Sequence, residues 1–382
     1  MFKYVFLSLL IPLLLASPAK AATAEELVAK LRTVGREGAD NPEAGKAWKE
    51  LVKCGPDALL SILAGLDSEK KTASNWLRPA VDAIVEKAAK DKQSLPKDAL
   101  EKFVGKTTNP PAGRRVAYEL LTGIDKTAPA RLLPGMVQDP SPELRFEAIS
   151  AVIDDAKKAL EKEDKKSATA LYQKALSGAN DKEQVEEIAK QLKALGVEVD
   201  VASHLGFIRG WHLLAAFDNT DEAGFKTVYP PEKGVELTAK YKGKGGDEAK
   251  WNETTTNDSY GVVDLNKVHA KKKSAIAYAY AVIDSPAERP VQIRVGAENA
   301  LKVFLNGKEI LARDEYHHGM DMDQHVAAGT LRAGRNELLL KVCQDDEKPD
   351  YAQVWSFQAR LCDATGSAVP FTLISPKPKQ DK

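Results

Sequence analysis

The 382-residue chain is short of most features that announce a chemistry. Its 3 Cys include no CxxC pair, which removes a disulfide framework and a cysteine-based structural zinc site. No GxSxG elbow, HExxH helix or Walker loop is present, so no familiar catalytic or nucleotide-binding constellation can be placed. With 55 Lys and Arg against 55 Asp and Glu, no surplus of positive charge is left for nucleic acid or an anionic membrane surface. Past residue 21 no apolar run reaches the roughly 20 residues that a membrane-spanning helix needs. The remainder, 43% hydrophobic, is ordinary globular composition with enough chain for about two to three domains.

The first 21 residues differ from the rest. Lys3 gives a positive start, Val5 to Ala16 is almost wholly apolar, and Ala19-Lys20-Ala21 fits a small-x-small cleavage site. This pattern predicts a signal peptide, 1–21, cleaved near Ala22. No Cys stands directly after the cleavage site, which argues against a lipid anchor. Removing Lys3 and Lys20 leaves 53 basic against 55 acidic residues, a formal charge of −2. The expected location is secreted or periplasmic, with no membrane insertion after cleavage.

From 22 to 200 apolar residues recur at helical spacing, and Gly or Pro falls mostly between periodic stretches. About eight to ten short helices follow. The clearest unit runs Leu132-Leu133-Pro134-Gly135-Met136, turns at Asp139-Pro140-Ser141-Pro142-Glu143, and continues Leu144-Arg145-Phe146-Glu147-Ala148-Ile149. Ser141 suits the N-cap, Pro142 the first turn and Glu143 the positive helix end. This unit resembles a HEAT repeat, and Gly55-Pro56-Asp57-Ala58-Leu59-Leu60 resembles a more decayed copy. Ala168/Leu171/Ala175 with Val185/Ile188/Leu192/Leu195 is similar to a tetratricopeptide unit. Such units bury their faces by stacking, so the resemblance implies a short α-solenoid that either binds a protein partner or acts as a spacer.

After Gly196 the apolar period drops to 2, and all 6 His appear. Strands are expected at Phe207 to Ala215, Ser274 to Ile283, Val291 to Ala297, Leu301 to Leu305, Glu337 to Cys343 and Val354 to Leu361. Asn306-Gly307 predicts a two-residue type I′ hairpin. An antiparallel β-sandwich over 201–375 follows, with a flexible tail at 376–382. Residues 294–308, RVGAENALKVFLNGK, and 331–342, LRAGRNELLLKV, resemble the paired signatures of galactose-binding-like jelly-roll domains. Gly206-Phe207-Ile208-Arg209-Gly210-Trp211, Phe217-Asp218-Asn219 and Tyr229-Pro230-Pro231-Glu232 are similar to the opening segments of such domains in exported proteins. Ala215-Ala216 departs from the usual G-P before F-D-N. The resemblance implies carbohydrate or protein binding without catalysis.

A sugar site needs an aromatic face and planar polar groups. Trp251, Tyr260 and Tyr316 are candidate stacking platforms, with Arg313, Asn252, Asn257 and Asp258 as polar partners. Trp211, Trp355 and Phe357 lie on strands and are expected in the core. Tyr316-His317-His318-Gly319-Met320-Asp321-Met322-Asp323-Gln324-His325 mixes imidazole and thioether donors, so His317, His318, Met320, Met322 and His325 form a candidate copper-like site. The adjacent His317 and His318 do not readily face one ion, and a solvated loop is the plainer reading. Export permits a Cys343–Cys362 bridge, but a hairpin turning near Glu347 to Pro349 sets Cys343 opposite Trp355. Cys54 is expected as a small buried residue.

The sequence therefore predicts an exported, non-catalytic binding or scaffold protein needing no cofactor. Its β half is expected to bind a glycan or an envelope protein, and its helices a protein partner. The alternative is a metal-binding or accessory subunit of a secreted enzyme complex.

Overall fold

The computed structural model describes residues 22–35, 38, 40–66, 71–346 and 353–374. The expected signal peptide, the tail at 376–382 and the turn near Glu347 to Pro349 lie outside the described residues. Among the described residues no helix is long and apolar enough to cross a membrane. A helix-rich N-terminal region is followed by a sheet-rich C-terminal region. The change of secondary structure falls near residue 205, whereas the compact units divide at Leu132/Leu133. The boundary expected near residue 200 is thus a boundary of local structure, and the helices after Leu133 belong to the same unit as the sheets.

The first unit contains α1 (Ala24–Leu31), α2 (Asn41–Lys53), α3 (Leu59–Gly65), α4 (Lys71–Lys90), α5 (Lys97–Gly105), α6 (Pro111–Ile124) and α7 (Ala128–Leu132). Thr23 and Glu26 form a reciprocal capping box at α1, satisfying donors the first helical turn leaves free. Leu31, Leu51, Leu59, Ile62, Leu77, Ile84 and Leu121 form the core at helical spacing. Arg114, 1% exposed, donates from Nε to Val104 O at 2.7 Å and so closes the end of α5. Cys54 is exposed, contrary to expectation, because it caps α2 where the chain turns away; its Sγ reaches only Glu50 O.

The second unit opens with α8 (Pro142–Glu161), α9 (Lys165–Leu176), α10 (Lys182–Ala194) and α11 (Val201–Leu205). Ser141 occupies the N-cap of α8 as expected, yet its hydroxyl makes no capping bond and meets Glu143 instead. Arg145 Nε donates to Asp139 O at 2.7 Å, within the turn that leads into α8.

The sheets comprise β1 (Gly210–Asp218), β2 (Lys240–Lys242), β3 (Glu248–Lys250), β4 (Asn252–Thr255), β5 (Val263–Asp264), β6 (Ala275–Ser285), β7 (Arg289–Ala297), β8 (Leu301–Leu305), β9 (Lys308–Arg313), β10 (His325–Leu331), β11 (Gly334–Gln344), β12 (Ser356–Cys362) and β13 (Thr372–Leu373). The larger sheet has the order β4-β1-β6-β11-β8-β9 with β13 beside β6, the smaller β10-β7-β12-β5, and β2 pairs with β3. Pairing is antiparallel throughout. Leu213, Ala279, Leu340 and Val303 of the larger sheet share one core with Ile293, Val295, Phe357 and Leu361 of the smaller. Trp211 and Trp355 are in that core as expected. Asn306 and Gly307 have φ of 52° and 78°, and Leu305 pairs with Lys308, as the predicted hairpin requires.

The outer face of the larger sheet is also buried. Segment 219–251 lies over it, and Phe225, Ala249 and Trp251 pack with Phe217, Tyr278, Tyr280, Phe304 and Leu339. Two short α-turns, α12 (Pro230–Lys233) and α13 (Leu265–His269), complete the connections.

Helices and sheets of the second unit are joined by specific bonds. Arg145, 5% exposed, donates to Ser367 Oγ (2.6 Å) and Thr365 Oγ1 (3.1 Å), and Asn180 donates to Thr365 O (2.8 Å). Gly206 has φ of +80° and its missing Cβ would stand 2.7 Å from Leu361 O, which lets the chain leave α11 directly onto β12. A chain starting at 201 forfeits the Arg145 and Asn180 anchors. Its urea midpoint is expected below that of a chain starting at 133, and Arg145→Ala is expected to cost about 2–4 kcal/mol; equal midpoints would show the helices to be a passive appendage.

Candidate functional site

Strand registers define two ends of the paired sheets. Asp218, Ala275, Gln344, Leu301, Ala297 and Phe357 lie at one, through the pairs Asp218↔Ala275↔Gln344, Val342↔Leu301 and Ala297↔Phe357. The β7–β8, β9–β10 and β11–β12 connections emerge there. The other end holds Gly210, Ser285 and Cys362, and α8–α11 attach at it.

Tyr260 sits at the attached end. Its hydroxyl bonds Glu186 of α10, its ring meets Phe207 edge-on at 6.0 Å, and Lys182 Nζ stands 5.0 Å from its centre. Burial, with the Glu186 carboxylate, pushes its hydroxyl pKa up, so it stays a neutral donor. Tyr260 is therefore a joint between helix and sheet. Trp251 is only 9% exposed, packed against Tyr280 at 6.1 Å beneath the cover segment. The glycine-rich loop before it gave an appearance of exposure, but β3 and β4 turn the indole inward.

Arg313, Tyr316, His317, His318, Met320, Met322 and His325 are brought together at the free end. Tyr316 is half-buried, and its hydroxyl accepts from Asn219 Nδ2 at 3.1 Å; burial raises its pKa. Asn219, 1% exposed, also donates to Gln344 O at 3.0 Å. Asn299 Nδ2 donates to Gln344 Oε1 at 2.6 Å, and Asn299 Oδ1 accepts from His317 N at 2.9 Å. Asp323 accepts from Arg294 Nη1 (2.6 Å), Arg360 Nε (2.6 Å) and Arg360 Nη2 (2.5 Å). Burial alone would raise the Asp323 pKa, but the two guanidinium groups outweigh it and hold the carboxyl below its ordinary value. Asp321 O lies where a Cβ on Gly296 would be, 2.4 Å away, so only glycine lets the loop settle on β7. The loop is thus fixed from within.

That fixation bears on the metal reading. Ala297 N donates to Gln324 Oε1 at 3.1 Å, which leaves Gln324 Nε2 facing His318 Nδ1 at 2.7 Å and Gly319 O at 2.7 Å. Nδ1 of His318 also lies 2.8 Å from Gly319 O, so this ring nitrogen is engaged by groups of the loop itself. His317 Nε2 is directed at Asp345 Oδ2, 2.7 Å away, while the rings of His318 and His325 lie 5.8 Å apart. Met320 Sδ lies 3.9 Å from Ser356 Oγ, and Met322 is half-buried. Among the described residues no three His, Cys, Asp or Glu stand together as a group that could hold an ion. Cys343 and Cys362 are both buried free thiols, pushed up by burial to about 12 and about 11.

Outward on this end stand Arg313, Asp314, Glu315, Asp321 and the partly open imidazole of His317. Glu298 stands beside them with its pKa raised by burial, bonded to Ser356 Oγ at 3.2 Å. Asn219, Asn299, Gln344 and Asp345, which frame the site, were not anticipated. Only the F-D-N run hinted at the first, and its role is structural.

Hollows lie elsewhere in this unit. One of about 410 Å³ at the attached end is lined by Ser203, Phe207, Arg209, Phe371 and Leu373, with Arg209 already bonded to Asp200 and Ser203. Another, of about 150 Å³, is bordered by Ala216, Lys244, Asp247, His269 and Lys272.

No family model matches the chain, and no curated protein matches it. A family 35 carbohydrate-binding module from an environmental isolate is 14% identical with a TM-score of 0.19, over 25% of this chain and 72% of that one. A β-glucosidase from Kluyveromyces marxianus in complex with glucose is 13% identical with a TM-score of 0.23, over 30% of this chain and 14% of that one. A GH31 α-xylosidase from Xanthomonas citri is 12% identical with a TM-score of 0.19, over 29% and 15%. The chain spans about a seventh of each enzyme. Likeness at this level carries no inference about a ligand.

Two outcomes follow from these placements. Trp251→Ala is expected to lower stability by about 3 kcal/mol, as for a buried aromatic; unchanged urea unfolding would return it to the surface. Burial, with Lys272 nearby, pushes His269 down to about 4, against about 6.5 in the unfolded chain. Its folded value is depressed, so its contribution is present above about pH 6.5 and is lost as pH falls toward 4. On the order of 3 kcal/mol is involved, and His269→Gln is expected to flatten the urea midpoint across that range relative to the parent.

Proposed function

We propose that the protein is an exported, non-catalytic binding and scaffold protein. Its two-sheet region acts as a galactose-binding-like jelly-roll sandwich that holds a glycan at the free loop end. Its helices form a HEAT- and tetratricopeptide-like array that engages a protein partner. The observation supporting this reading is the asymmetry of the two ends. One is taken by α8–α11, while the other carries Arg313, Glu315, His317 and Asp321 outward on loops held by buried Asn, Gln and Asp side chains. Planar, charged groups on a rigid frame bind hydroxyl-rich ligands without a large ordering cost.

The chain without its leader, applied to a panel of immobilised polysaccharides, tests this. Retention on at least one glycan is expected, weakened about tenfold or more by Arg313→Ala with Asp321→Ala. Both sites are exposed, so the urea midpoint should not move. Failure to bind any glycan, or binding unaffected by the double substitution, removes the glycan reading.

A further inference from the structure

Lys341 of β11 points outward from the larger sheet yet is 0% exposed, because the cover segment closes over it. Its Nζ lies 2.9 Å from Glu232 Oε1, 2.6 Å from Thr227 O and 3.1 Å from Phe225 O, beside the Tyr229 ring. The side chain of Glu232 is 5% exposed. Its Oε1 also accepts from Tyr278 Oη at 2.5 Å and from Tyr229 N at 3.2 Å. An amine and a carboxyl are thus held in contact, with two further donors on the same carboxyl oxygen.

We propose that Lys341 and Glu232 condense into an amide, a covalent cross-link between the cover segment and the central strand of the sheet. Transfer of one proton from the ammonium to the carboxylate gives a neutral amine and a neutral acid with no outside base. Nζ then bonds to Cδ of Glu232 and drives the carbonyl electrons onto Oε1, where Tyr278 Oη and Tyr229 N stabilise the developing charge. The bond from Cδ to the other carboxyl oxygen breaks, and that oxygen departs with two protons as water. Nothing is oxidised or reduced. Glu232 borders a cavity of about 120 Å³, which gives the water somewhere to go.

Several features favour the step. Desolvation lowers the Lys341 pKa and so brings the free amine within reach, although the Glu232 carboxylate opposes it. Burial and Glu232 raise the Tyr278 pKa, so its hydroxyl keeps the proton it donates. The product is already matched: its carbonyl oxygen retains the Tyr278 and Tyr229 donors, and its N–H retains Thr227 O. Two buried charges vanish with the bond, and with them their desolvation cost. Fixed contact supplies the proximity that makes an unactivated condensation accessible.

Intact-mass measurement of the full chain decides the matter. The mass is expected below the sequence value by one water, and Lys341→Met is expected to restore the full value. Trypsin should release a branched peptide joining residues 227–233 to the segment beginning at Asn336, uncleaved after Lys341. The branch distinguishes the cross-link from water lost elsewhere. A parent chain of full sequence mass, yielding the two peptides separately, overturns the proposal whether or not the variant folds. The glycan reading is independent of this outcome.

Discussion

Each sheet carries a buried cation on the outer face of an interior strand, and a buried cation must be met by a carboxylate or it is not tolerated. On β11 it is Lys341, 0% exposed; on β12 it is Arg360, 1% exposed. Glu232 answers the first and Asp323 the second. Much of the loop architecture follows from these two obligations. Delivering Glu232 requires the segment after β1 to cross the larger sheet, which buries Tyr278, Tyr280 and Phe304. Delivering Asp323 requires the β9–β10 connection to fold back over the smaller sheet, which places Gly296 beneath Asp321.

A related device serves the helices. Arg114 and Arg145 each donate from Nε to a carbonyl earlier in the chain, at 2.7 Å in both cases. Asn109-Pro110-Pro111 precedes Arg114 and Asp139-Pro140-Ser141-Pro142 precedes Arg145, so a proline-bearing turn stands before both. In the second unit the Arg145 guanidinium does double duty. Its Nε ends the turn while its two amino groups reach Thr365 and Ser367. The connection from helix to sheet is therefore part of the helix-capping chemistry.

The strands and the Asn306-Gly307 hairpin were legible because period-2 alternation and positive-φ turn residues are local signals. Strand β10 was not, since His325-Val-Ala-Ala-Gly-Thr-Leu has small residues where an alternation would show. The surroundings of the aromatic candidates were not legible for a different reason. Trp251, Tyr260 and Tyr316 stand near glycine or polar residues, which suggests exposure, but their partners lie far away in the chain: Tyr280, Glu186 and Asn219. No local pattern encodes such pairings. The division of the compact units at Leu132/Leu133 was not legible for the same cause, because contacts of α8–α11 with the sheet are set by single side chains and leave no compositional mark.

The His- and Met-rich run is held by bonds that its composition does not show. Three imidazoles and two thioethers within nine residues look like a donor set, yet donors matter only when their lone pairs converge. The Gln324 amide, oriented by Ala297 N, and Gly319 O both meet Nδ1 of His318. Asp345 draws His317 the other way. The loop is closed by its own amides and carboxylates. The bonds that hold it are buried while Arg313, Glu315 and Asp321 stay outside them, so the outward side chains can change without disturbing the frame. That separation of frame from surface is what a recognition end requires if its specificity is to change while its fold does not.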